Sequence, residues 1–275
     1  MCLIAVAWEH HARYRLALIA NRDELHARPA AAAGPDPQQP ELYGGRDLQM
    51  GGSWLMASRR GRLAAVTNVR VGLAGAPRPK SRGDLVRGFV GASGPAPASL
   101  DPLRRESGQY APFNLLGWDG ESLTFASNHP DYRTQMLRRG IHAMSNGALD
   151  APWPKSNRAT QALSAWLQAA DGDAAAVDVA PLLDALADDE PAPDAALPDT
   201  GIGLELERRL SPPFVRDPRY GTRCSTVVLV EETGMRFVER RFGPDGMPLG
   251  ESDEWLEWLT RPATTAPATA TSRAP

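Results

Sequence analysis

The chain has 275 residues, 42% of them hydrophobic and 23% charged, which is a globular composition. Its 30 basic and 33 acidic residues leave a formal net charge of -3, so no global basic field recruits nucleic acid and no strongly acidic character stands out. No apolar run approaches the roughly 20 residues that span a bilayer, and the apolar start Met1–Trp8 is short, with no basic segment before it, so neither a transmembrane segment nor a signal peptide is expected.

A soluble, cytoplasmic protein is expected. The two cysteines, Cys2 and Cys224, make no disulfide framework, and free thiols are the simpler reading. No Cys/His cluster has zinc spacing. Among the basic residues only Lys80 and Lys155 are lysine, which together with abundant Ala, Gly and Pro points to a G+C-rich genome.

Cys2–Trp8 and Tyr14–Ala20 read as the strands of a hairpin, joined by the polar Glu9–Arg13. Pairing Trp8 with Tyr14 sets Cys2 opposite Ala20 and brings Asn21, Arg22 and Asp23 just past the end of the first strand. A Pro-rich loop follows at about Pro29–Pro40, then Gly51-Gly52-Ser53-Trp54 and a second hairpin turning at Arg60-Gly61, whose return strand ends at Thr67-Asn68. Ser81 with Asp84 reads as a helix start ahead of Leu85, Val86, Phe89 and Val90. After a Pro/Gly/Ala loop ending near Pro102, a third hairpin joins Phe113–Trp118 to Leu123–Ala126 through Asp119-Gly120.

A strand is predicted over Gly140–Met144, stopping at Ser145-Asn146-Gly147, and a helix over Lys155–Ala169. Residues 170–200 read as a helical insertion with a helix near Val179–Leu186. The last strands are Thr226–Val230 and Met235–Phe242. Hairpins without regular helical crossovers predict an α+β fold of antiparallel sheets covered by helices, as one domain over residues 1–260. Residues 261–275, rich in Pro, Ala and Thr, are expected to be a disordered tail. No phosphate loop of standard spacing is present.

Cys2 is the residue to explain. With Met1 removed it carries a thiol and an α-amine on one carbon, and a free α-amine has a pKa of about 7.7–8.0, so it can act as a base at neutral pH beside its own nucleophile. Arg22 beside that thiol would favour thiolate, and Asp23 would hold the amine. Asn68 and Asn146 end strands, where their amides can donate to a developing oxyanion. Arg223 enters the last apolar strand as a further charge. Each residue also has a plain structural reading: a buried small side chain, a surface ion pair, a turn asparagine.

The start Met1-Cys2, the tetrad Asn21-Arg22-Asp23-Glu24, and the segments Gly51–Trp54, Thr67–Arg70, Ser81-Arg82-Gly83, Phe113-Asn114-Leu115, Ser145-Asn146, Trp153-Pro154-Lys155 and Gly221–Thr226 together resemble the NRDE family, in its bacterial form, the family of transport and Golgi organisation protein 2. The resemblance implies a four-layer αββα sandwich of N-terminal nucleophile hydrolase type, two stacked antiparallel sheets flanked by helices. It also implies distant similarity to choloylglycine hydrolases and penicillin V acylases. In that wider group Cys2 matches the nucleophile. Arg22 and Asp23 match its assisting pair, which the group spaces two residues apart and which here are adjacent. Asn68 and Asn146 match the two supporting asparagines, and Arg223 a late arginine.

Two functions follow as expectations. One is an N-terminal cysteine hydrolase of a non-peptide amide or acyl (thio)ester. The other is a non-catalytic protein that carries haem or acyl lipid, including acyl-CoA, as its ligand. No resident cofactor is expected. Covalent haem is excluded by the absence of Cys-x-x-Cys-His, and His10, His11, His26, His129 and His142 are the available iron ligands.

Overall fold

Alternation of apolar side chains along the strands decides the layers. The computed structural model describes residues 3–72, 75, 77–170 and 177–259. Cys2, the expected disordered tail and residues 171–176 of the expected insertion lie outside the described residues. In chain order the strands are β1 (Leu3–Trp8), β2 (Leu16–Leu25), β3 (Ala30–Pro35), β4 (Leu42–Asp47), β5 (Leu55–Ser58), β6 (Arg62–Asn68), β7 (Phe113–Trp118), β8 (Leu123–Ser127), β9 (Arg133–Met136), β10 (Gly140–Met144), β11 (Tyr220–Val230), β12 (Gly234–Phe242) and β13 (Pro248–Glu257). The helices are α1 (Arg82–Gly91), α2 (Ala96–Leu100), α3 (Leu103–Glu106), α4 (Pro154–Ala169), α5 (Ala180–Leu186) and α6 (Leu204–Arg209).

The first sheet has the order β10-β1-β2-β11-β12-β13 and the second β3-β4-β5-β6-β7-β8-β9, with antiparallel neighbours throughout. Three apolar clusters separate four layers. Between the sheets, Ile4, Leu18 and Val228 of the first meet Leu55, Leu63 and Leu116 of the second. Outside the first sheet, Leu3, Ile19 and Val227 pack on Leu163 of α4 and Leu182 of α5. Outside the second, Val66 and Leu115 pack on Val86 and Phe89 of α1. The fold is therefore the αββα sandwich expected from the resemblance. Burial of Leu85, Val86, Phe89 and Val90 holds α1 down, at about 1.5–3 kcal/mol each. Its start is the capping box read from Ser81 and Asp84. No helix among the described residues is long and apolar enough to cross a membrane.

The first hairpin corrects the expected register. Trp8 pairs with Leu16, not Tyr14, and Leu3 pairs with Asn21. Tyr14 leaves the strand because its ring packs 5.6 Å from Trp166 on the helix layer, and the connection closes with Glu9 N donating to Arg15 O. The shift is two residues, so every side chain keeps its face. The Pro-rich loop at 29–40 contains β3, where Pro35 is tolerated because β3 is an edge strand. The loop expected to end near Pro102 contains α2, which begins after Pro95.

Candidate functional site

Strand β2 carries the tetrad, and its alternation splits it. Leu16, Leu18 and Ala20 face the space between the sheets, whereas Ala17 and Ile19 face the helices. Arg22 and Glu24 continue the inner set and line an inter-sheet pocket of about 270 Å³. Asn21 and Asp23 continue the outer set. The Asn21 amide donates to the carbonyls of Leu186 at 2.7 Å and Pro213 at 2.8 Å, and its Oδ1 accepts from Ser225 Oγ at 2.6 Å. Asp23 accepts from Thr222 Oγ1 at 2.7 Å, and Val215 N donates to that hydroxyl. Adjacency thus puts Arg22 and Asp23 on opposite faces of the sheet.

Arg22 lies on Trp54, its guanidinium carbon 4.2 Å from the ring centroid. A chain of close approaches places that ring. A Cβ on Gly45 would meet it at 2.1 Å, and a Cβ on Gly52, which sits at φ +69, would meet the backbone of Gly83 at 2.4 Å. The Gly51–Trp54 and Ser81–Gly83 segments are therefore two sides of one contact, closed by Ser53 N donating to Gly83 O. Asp47, on the pocket wall, is pushed up by burial but more strongly held down by Arg28 and the N–H of Gln49, so its carboxyl stays below the usual range.

Asn68, the last residue of β6, lines both this pocket and a neighbouring cleft of about 1110 Å³. The cleft wall is largely apolar, with Val69, Ile202, Leu206, Leu210 and Phe214 among it. Asn146 Nδ2 donates to the Asn68 carbonyl at 3.1 Å and to its Oδ1 at 2.9 Å, which leaves the Asn68 NH2 with no acceptor among the described residues. Asn146 is itself held: its Oδ1 accepts from Arg70 at 3.0 Å and from the buried Lys155 at 3.3 Å. Arg70 in turn pairs with Glu207 of α6 at 2.7 Å. The structure thus brings Asn68 and Asn146 together as the sequence suggested. Trp54, Arg70 and Glu207, to which the sequence reading gave no role, hold the site from behind.

Arg223 sits at a bulge in β11 and donates to the carbonyls of Leu25 at 2.9 Å and Arg28 at 3.0 Å. It lines neither cavity. Burial, then the charge of Arg22, lowers its pKa. Cys224 carries a free, buried thiol, which burial and the neighbouring Glu239 push well above the ordinary range. It is no activated nucleophile.

The loop bearing Asn146 is closed by a charge pair. His142 Nδ1 lies 2.8 Å from Asp150 Oδ2 and Nε2 lies 2.8 Å from the Arg138 carbonyl, so both nitrogens must carry a proton. The hydrogen bond to Asp150 raises the His142 pKa above the ordinary 6.5. Its contribution to stability is therefore complete below pH 6.5 and lost as pH rises through the raised folded value. His142→Gln is expected to cost about 1 kcal/mol near pH 5.5 and progressively less above the raised value, a modest cost because Asp150 is half exposed. Thermal melts of both chains across pH check this; a pH-independent difference would remove the charge from the account.

Comparison with known proteins agrees with the sequence pattern. Residues 1–244 match the family described as Transport and Golgi organisation 2. The Transport and Golgi organization protein 2 homolog of Bos taurus is 34% identical over 247 residues, covering 82% of this chain and 86% of its own. The Homo sapiens homolog is also 34% identical, over 241 residues, with the same coverage. The Drosophila melanogaster protein is 26% identical over 248 residues, again covering 82% of this chain and 86% of its own. Among solved structures, a Caenorhabditis elegans N-acylethanolamine-hydrolyzing acid amidase ortholog superimposes with a TM-score of 0.42 at 11% identity, covering 82% of this chain and 92% of its own. A variant of conjugated bile acid hydrolase from Clostridium perfringens gives 0.44 at 7% identity, covering 98% and 100%. On the family match and the shared third of its residues with the vertebrate homologs, the chain belongs to the Transport and Golgi organisation 2 family.

Proposed function

We propose that the chain is an N-terminal cysteine hydrolase that cleaves an acyl amide, ester or thioester. With Met1 removed, the α-amine of Cys2 takes the thiol proton and the thiolate attacks the acyl carbonyl. The Asn68 NH2 donates to the oxyanion, and Asp23 holds the α-ammonium. The tetrahedral intermediate collapses to an acyl-cysteine as the ammonium returns its proton to the leaving group. Water, deprotonated by the amine, then releases the acid and restores the thiol.

The observation that supports this reading is the position of Asn68. Its amide, oriented by Asn146 and without an acceptor among the described residues, stands where a polar pocket meets an apolar cleft large enough for an acyl chain. The same cleft supports the competing reading, binding of haem or an acyl lipid without turnover, with His129 on its wall.

Intact-protein mass spectrometry after brief exposure to p-nitrophenyl acetate at neutral pH separates the two. The expected result is absence of Met1 and one rapid acetyl adduct on Cys2, none on Cys224, and none after Cys2→Ser. Retention of Met1, or a Cys2 no faster than free cysteine, overturns hydrolysis. A saturable haem Soret shift that survives Cys2→Ser would then support the carrier.

A further inference from the structure

Phe113-Asn114-Leu115 is a segment of the sequence pattern to which the hydrolytic scheme gives no task. Along β7 the alternation that points Leu116 between the sheets points Asn114 the same way, and along β6 Thr67 follows Ala65. The two are cross-strand partners at the end of the inter-sheet core, Asn114 1% and Thr67 0% exposed. Polar groups buried this deeply need partners.

They find them in the loop 145–147 that follows β10 of the first sheet. Asn114 Nδ2 donates to Gly147 O at 2.7 Å and to Ser145 O at 3.3 Å. Thr67 Oγ1 donates to Ser145 O at 2.6 Å. An amide NH2 has two protons, one for each carbonyl beside Asn146. Trp153 closes the loop from its other side: a Cβ on Gly147 would lie 2.6 Å from that ring. Asn146 O accepts from Arg70 N at 2.8 Å, so the loop backbone is held at three successive carbonyls.

Asn114 lines neither the pocket nor the cleft, so its influence on either must pass through the loop. Asn146 passes it on. Its Nδ2 donates to the carbonyl and Oδ1 of Asn68, which turns the Asn68 NH2 away from it.

We propose that Asn114 is a positioning residue for the oxyanion donor: one amide of the second sheet clamps both carbonyls beside Asn146, and Asn146 in turn aims the Asn68 NH2. The effect on rate rests on the hydrolase reading; the clamp itself needs no turnover. A donor misplaced by about 1 Å can cost ~10²-fold in rate. Substrate held in the cleft, which Asn114 does not touch, should bind as before.

The test compares the full chain with Asn114→Ala, Asn114→Leu and Asn21→Ala in two measurements. One is Cys2 acylation over a range of p-nitrophenyl acetate concentrations, well below every melting temperature. The other is the side-chain NH2 resonances of Asn68 and Asn146 in isotope-labelled protein, assigned by difference against Asn68→Ala and Asn146→Ala. Asn114→Ala is expected to lower the limiting rate at least tenfold, keep the half-saturating concentration within twofold, and shift both sets of resonances. Asn114→Leu fills the space without the donors and should be as slow, which separates the hydrogen bonds from a folding defect. Asn21→Ala removes a buried amide that lines neither cavity and should leave rate and resonances alone. Recovery of the rate in Asn114→Leu, an equal loss in Asn21→Ala, a loss carried by half-saturation alone, or unmoved resonances in Asn114→Ala overturns the proposal. If the parent chain does not acylate, hydrolysis is what fails, and the resonances alone decide the clamp: a shift in Asn114→Ala upholds it and no shift overturns it.

Discussion

Asn21→Ala is expected to lower stability by about 4 kcal/mol, although the residue touches neither cavity. The substitution strands two buried carbonyls, Leu186 O and Pro213 O, and the Ser225 hydroxyl. Each unsatisfied buried group costs about 1–3 kcal/mol, and Asn21 is fully buried, so water does not replace the amide. In a chain of this size a loss of about 4 kcal/mol lowers Tm by roughly 10 °C. Glu24→Ala, three residues on, removes ion pairs at 3.8–4.0 Å and one exposed hydrogen bond accepted from the adjacent Leu25 N–H, and should move Tm by less than about 2 °C. Melting curves of the two variants decide it. Equal shifts would mean that the tetrad acts as one functional unit and that Asn21 is not the bolt between the first sheet and its helix layer.

That contrast bears on how the tetrad is read. Four polar residues in a row at a strand end suggest one site, and together with the other ordered segments they carried the family resemblance. The period of two along a strand assigns them to different tasks: Asn21 and Asp23 to the helix side, Arg22 and Glu24 to the inter-sheet pocket. Alternation was legible in the apolar part of β2, and carrying it two residues further would have separated Arg22 from Asp23. Adjacent residues on a strand point to opposite faces, whereas a spacing of two would have put both side chains on one.

Elements with their own local signals were legible. The turns at Arg60-Gly61 and Asp119-Gly120 marked β5–β6 and β7–β8, and the Ser81/Asp84 box marked α1. Three of the four strands that escaped are edges: β3, β9 and β13. An edge strand buries little, so β9 and most of β13 lack the apolar alternation that reveals a strand. The inner strand β4 hides behind Gly44 and Gly45, which are there because Met56 and the Trp54 ring leave no room for a Cβ. Of the proposed catalytic set, Asn68 and Asn146 were legible as strand-end residues that the fold brings together. Arg223 entered the expected list by motif order and its place at a strand end, and it serves as a strap on the 25–28 turn.

The support behind Asn68 was not legible, because its parts are far apart in the chain: Glu207 and Arg70 are 137 residues apart. Their pair makes the other large prediction. Glu207 is 3% exposed, accepts from Arg70 and also from the N–H and hydroxyl of Thr200. Glu207→Leu leaves a nearly buried Arg70 without its carboxylate and should cost about 3 kcal/mol. Arg70→Leu added to it removes the stranded charge, so the double variant should be more stable than Glu207→Leu alone, a coupling that independent sites would not show. Both changes also free Asn146 from the far side, by way of Arg70. If Asn68 works only when Asn146 turns its NH2 outward, acylation of Cys2 by p-nitrophenyl acetate should slow at least tenfold in the double variant, while its melting temperature partly recovers. Stability and acylation recovering together would show that Arg70 and Glu207 serve the fold alone; stability recovering while acylation stays slow places them behind the oxyanion donor.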